Sequence, residues 1–155
     1  MDKLKLKIDK FIEIALISLM SAMVLTILWQ VITRYLFNSP SEYTDELSRY
    51  LLIWMGLLGA AYVTGQKAHI ALDFFAKKFF GNNKKLEISI QLLILVFTTV
   101  IFLVGGGMLV YITLSLGQIS SALNLPLGYV YLIVPVSGIL IIFYTIFFIR
   151  EAKKS

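Results

Sequence analysis

The chain has 155 residues, 59% of them hydrophobic and only 15% charged, with a mean hydropathy of +0.86. A soluble domain is nearer half apolar and a quarter charged, so this is the composition of an integral membrane protein with room for about four crossings of roughly 20 residues each. The net charge of +5 resides in lysines at the ends of apolar runs, which argues against a nucleic-acid partner, and the lack of cysteine excludes disulfides, thiolate metal sites and a cysteine nucleophile.

The N-terminus carries Lys3, Lys5, Lys7 and Lys10 ahead of an apolar run from Ile14 to Val31. That run is longer than a signal-peptide core and no small-residue cleavage site follows it, so a retained first membrane helix is expected over 12–37. Thr26, Gln30 and Thr33 fall on one face of it, which should meet protein rather than lipid. Arg34, Tyr35 and Phe37 mark its exit at an interface.

A second helix is expected over 40–66. Ser39 with Glu42 three residues on fits a capping box, and Pro40 suits the first helical position, where a missing N–H costs nothing. Asp45 and Arg49 are four apart and can pair along one face. No charge follows Arg49 until Lys67, a gap of about 17 residues, close to the minimum for a crossing. Gly56, Gly59 and Ala60, with Val63, form a small-residue face suited to close helix packing.

Between Lys67 and Lys85 the composition changes. Ala68, Ala71, Leu72, Phe75 and Phe79 share one helical face, and His69, Asp73 and Lys77 share another. The pattern is that of an amphipathic helix over 68–80 lying in the membrane interface, ended by Gly81-Asn82-Asn83. A third crossing is expected over 86–116. It would be about 45 Å long against a hydrocarbon core of about 30 Å, so it must tilt, bend or project, with Gly105-Gly106-Gly107 as the place for a bend or a close contact. An uncharged link from Gly117 to Asn124 leads to a fourth crossing over 125–149, where Pro135 and Gly138 favour a kink.

The N-terminus, the 67–85 segment and the C-terminus are basic, the first link is acidic at Glu42, Asp45 and Glu46, and the third is neutral. All five segments place both termini in the cytoplasm. The expectation is one all-α membrane domain over 1–155, with four crossings and an interfacial helix. No internal repeat is apparent, which weakens a self-contained inverted-repeat transporter.

Candidate chemistry is sparse. His69 with Asp73 supplies at most two metal ligands, too few for zinc, and reads as a structural or interfacial pair. Glu13 is the lone acid a small proton-coupled exporter would need, but it lies at the helix start, where snorkelling or pairing with Lys10 suffices. Arg34, Glu46 and Arg49 are candidates for an ion-pair cluster at the interface. The glycine run at Gly105 lacks the strand and lysine of a phosphate loop. No nucleophile triad or paired-carboxylate site stands out, so no enzyme activity and no cofactor are expected. The residues by themselves reach "membrane scaffold or subunit".

The order Arg34-Tyr35-Leu36-Phe37, Asp45-Glu46-Leu47-Ser48-Arg49-Tyr50-Leu51, Trp54, Gly56, His69-Ile70, Asp73 and Leu125-Pro126-Leu127-Gly128 resembles the DctQ family over nearly the whole chain. These are the small membrane subunits of tripartite ATP-independent periplasmic (TRAP) transporters. The resemblance implies a bacterial inner-membrane location and two partners: a large DctM-type membrane subunit carrying the substrate and sodium sites, and a DctP-type periplasmic binding protein delivering a carboxylate. It implies that the small subunit enlarges the fixed scaffold of an elevator. Arg34, Asp45, Glu46 and Arg49 would then be structural or subunit-interface residues, Glu42 and Tyr43 would face the binding protein, and His69, Asp73 and Lys77 would anchor the interface. The alternative reading is a small homo-oligomeric proton-coupled exporter using Glu13.

Overall fold

The computed structural model describes residues 2–37, 39, 41–66 and 84–154. The helix expected over 68–80, with His69, Asp73 and Lys77, lies outside them, as does Pro40.

Four helical segments are long and apolar enough to cross a membrane: Lys3–Leu36, Glu42–Gly65, Ser89–Ser115 and Leu127–Arg150. The first helix, α1, runs Asp2–Leu36, ten residues earlier than expected. The lysines that look like a flanking tail are helical because Lys5 and Asp9 pair at i,i+4, 3.4 Å apart, and because Leu4, Ile8 and Phe11 continue the apolar face toward the N-terminus.

Helix α2 spans Glu42–Gly65. Its N-cap is Ser41, not Ser39, and no side chain caps it, so the expected capping box does not form. Instead the Asp45 amide reaches the Ser41 carbonyl at 3.3 Å, and the Ser39 amide is taken by the Thr33 carbonyl at the end of α1. Those bonds turn the chain sharply and leave Ser39 outside the second helix.

The third crossing is continuous but not uniform. Helix α3 (Lys84–Thr98) widens into a π-helical stretch, Thr99–Gly105, before α4 (Gly106–Ser115). The glycine run therefore follows a wide turn, and its central member makes the close contact. A Cβ on Gly106 would stand 2.7 Å from Val134, whereas one on Gly107 would meet nothing within 4 Å.

The fourth crossing is split into α5 (Leu127–Tyr131) and α6 (Ile133–Lys154). Pro135 has no N–H and its ring crowds the carbonyl four residues earlier, so the break falls at Leu132, one turn before the proline. The Trp54 indole N–H donates to the Val130 carbonyl at 3.0 Å and ties α2 to the break.

The crossings stand in a row. Helix α1 packs on α2, α2 on α6, and α6 on the third crossing. Among the described residues, side chains close the row from α1 to α6 at one end, where Ile12, Tyr144 and Phe148 form a buried cluster. Close approach is made at Gly65, Gly106, Gly128 and Gly138, each facing a side chain of another segment. The expected packing face of α2 is not used inside this chain: Gly56 and Gly59 have nothing near their Cβ positions, and Ala60 and Val63 are exposed. Leu58, Ala61, Thr64 and Gly65 are the buried residues of α2.

Candidate functional site

Polar side chains converge at the end of the row where α1 finishes and α2 begins. An open groove of about 480 Å³ is lined there by Gln30 and Arg34 of α1, Ser41, Glu42, Asp45, Glu46 and Arg49 at the start of α2, and Ser121 and Ala122 of the link before α5. The expected polar face of α1 contributes to it. Thr33 is buried, and the Gln30 amide nitrogen donates to Asp45 Oδ1 at 3.1 Å. Asp45 also accepts from Arg49 at 2.8 Å along one exposed face of α2.

Glu46 does not join an ion-pair cluster with Arg34 and Arg49. One of its oxygens accepts the Tyr50 hydroxyl at 2.6 Å, and the other accepts the backbone amides of Ala122 and Leu123 at 2.8 and 2.9 Å. The carboxylate thus holds the link against α2. The link is itself a tight turn: Ile119 pairs with Pro126, the Ser120 amide reaches the Leu125 carbonyl at 2.8 Å, and Gly117 and Asn124 take the left-handed backbone. A segment without a charge of its own satisfies two amides with a charge supplied 76 and 77 residues earlier. Sequence spacing gives no sign of that bond, and the adjacent Asp45-Arg49 pair draws attention away from it.

Arg34 lines the groove and makes no ion pair among the described residues. Glu42 and Tyr43 are exposed beside it. The groove therefore presents charges of both signs toward the outside of the helix row.

A second polar knot, unforeseen from sequence, sits at the opposite end. The buried Tyr144 hydroxyl donates to Asp9 Oδ1 at 2.5 Å, and Asp9 holds Lys5. The Lys5 ammonium lies 6.0 and 5.8 Å from the ring centres of Phe147 and Phe148. Gly65 closes the knot, because its missing side chain makes room for the Tyr144 ring, which a Cβ would meet at 2.6 Å. Asp9 looks from sequence like one acid among lysines; its partner is 135 residues away. Glu13 is exposed and forms no ion pair with Lys10.

Among the described residues no group of three metal-ligating side chains comes together. The groove is open, mixed in sign and held by backbone, which suits contact with a polar surface. Residues 23–154 match the family described as the DctQ component of tripartite ATP-independent periplasmic transporters. The chain belongs to the DctQ family. It is 30% identical to a putative TRAP transporter small permease protein of Haemophilus influenzae over 94% of both chains. It is 29% identical to the sialic acid TRAP transporter small permease protein SiaQ of Vibrio cholerae, over 81% of this chain and 77% of that one. A shorter likeness, 31% over 45 residues, is to the sialic acid TRAP transporter permease protein SiaT of Haemophilus influenzae and covers 29% of this chain and 7% of that protein. The expected family is thus the family shown, and this DctQ-type chain is a multi-pass inner-membrane transport component.

Proposed function

We propose that the chain is the non-catalytic small membrane subunit of a sodium-driven carboxylate importer. It widens the fixed scaffold of a large elevator-type subunit and helps a periplasmic binding protein dock. The observation that carries this reading is the architecture: a row of helices whose broad apolar sides are mostly exposed, with an open groove of charged groups where α1 ends and α2 begins. Such a body offers surface to bury against a larger membrane partner, and no hydrophobic force between helices in lipid is needed when faces are flat and small residues line them. The free Gly56-Gly59-Ala60 face of α2 is the part of that surface best shaped for close helix contact.

The likeness of a stretch of this chain to part of the much longer SiaT permease supports a partnership with a large permease. The relative named for sialic acid supports an acidic substrate. The charge distribution supports an orientation with both termini in the cytoplasm and the groove in the periplasm. Glu42, Tyr43, Arg34 and the Asp45-Arg49 pair are then the residues a periplasmic protein meets.

The test is reconstitution. Proteoliposomes holding this chain, the large subunit and the binding protein should take up the acid in response to an inward sodium gradient, and omission of this chain should abolish uptake. Uptake by this chain alone, or full uptake without it, would overturn the proposal.

A further inference from the structure

A narrow groove of about 310 Å³ runs between α1 and α6 near the Asp9 end, floored by Leu58 of α2. Phe11 and Ala15 of α1 and Val136 and Leu140 of α6 form its walls. Lys7 is the one charged residue lining it, and it does so through the carbons of its stem. We infer that this groove is a binding site for one anionic phospholipid, with an acyl chain between α1 and α6 and the phosphate on Lys7.

Three observations carry the inference. The first is the order of polarity. Lys7 is the lining residue nearest the N-terminus of α1, and the walls from Phe11 to Ala15 lead from there toward the middle of the crossing. A cation at the water end followed by hydrocarbon only is the complement of a phospholipid.

The second is length. From Lys7 to Ala15 the helix rises about 12 Å, and every residue lining the groove along that length other than Lys7 is apolar, which matches the upper part of one acyl chain below its headgroup.

The third is unbalanced charge. Lys3, Lys7 and Lys10 follow one another at i, i+4 and i+7 on the helical extension of α1, are all exposed, and form no ion pair among the described residues. Of the acids described near these lysines, Asp9 is already taken by Tyr144 and Lys5, and Glu13 makes no ion pair among the described residues. Two further ammonium groups thus stand beside Lys7 where a phosphate and an anionic headgroup would sit. Basic residues at a bilayer surface attract anionic lipid by an amount worth several-fold in affinity each. The α1 wall and Lys7 lie before residue 23, where the family match begins, whereas Leu58, Val136 and Leu140 lie within it.

The experiment is lipid competition on the full chain. The purified protein is equilibrated with equal amounts of phosphatidylglycerol and phosphatidylcholine in detergent micelles, and retained lipids are counted by native mass spectrometry. The expected result is one retained phosphatidylglycerol per chain in preference to phosphatidylcholine. Lys7→Gln should lower that preference about fivefold, while Lys7→Arg keeps it. Ala15→Phe should fill the groove and remove the retained lipid of either kind. If that variant fails to fold by circular dichroism, the Lys7 pair decides alone. Equal retention of the two lipids by the wild type, retention of none, or an unchanged preference in Lys7→Gln would each overturn the site.

Discussion

The first and fourth crossings are both apolar enough to span a membrane, yet the most apolar stretch of the first is 6% buried and that of the fourth 39%. The difference lies in what stands at the contact positions. Along α5 and α6 small and hydroxyl residues face neighbours: Gly128 lies against Leu114, Gly138 against Phe102, and Ser137 and Thr145 are fully buried. The two hydroxyls return to backbone carbonyls of their own helix, Val134 and Ile141, so burial leaves them satisfied. Along α1 the exposed positions carry Phe11, Ile14, Ile17, Met20, Leu25 and Leu28. Hydropathy measures readiness to leave water. In lipid, where bulky apolar groups gain nothing from meeting each other, close approach is decided by the small residues instead.

The sharpest break of this contrast is a side chain at Gly138, whose Cβ would stand 2.7 Å from Phe102 Cβ, an atom too near the backbone to swing away. Gly138→Val should cost about 1–3 kcal/mol of stability in the isolated chain, read from denaturant unfolding in micelles. Next comes the knot that binds α1 to α6. Tyr144→Phe keeps the ring in its cluster and removes one bond to a carboxylate, so a loss of about 1–2 kcal/mol is expected by the same measurement. A more local effect follows at the opposite end. In Glu46→Gln the amides of Ala122 and Leu123 should exchange with deuterium about tenfold faster, while amides in α6 keep their rates. Smallest are the exposed positions of α2. Arg49→Gln and Gly56→Val should each change the isolated chain's stability by no more than about 0.5 kcal/mol. Gly56→Val should nevertheless reduce recovery of the large subunit in a pull-down if its face is the joint between subunits. A large loss of stability for the isolated Gly56→Val chain would erase the distinction between the used and unused faces.

The crossings themselves are legible in the sequence because long uncharged runs are a one-dimensional signal, and three of the four both begin and end within a few residues of the expected places. Contacts between distant segments are another matter. Gly56, Gly59 and Ala60 stand out as a small-residue face, yet the glycines that bring segments together inside the chain are Gly65, Gly106, Gly128 and Gly138. Each is small because of one bulky partner elsewhere, and nothing in its own neighbourhood names that partner. Among polar residues, Asp45 with Arg49 was readable because the pair is local. Glu46 with Ala122 and Leu123, and Asp9 with Tyr144, were not, because each joins the first half of the chain to the last third. The first helix was expected too short for a related reason: its lysines look like solvent until Asp9 is seen to tie that end down.

The side-by-side order of the crossings has a consequence for anything that must pass through the bilayer. A palisade only one post deep has a front and a back but almost no interior, and a hydrated passage needs walls on every side. Traffic can run along such a fence, or be guided by it, but the enclosure that shields a polar solute from hydrocarbon has to be completed by another body standing against it.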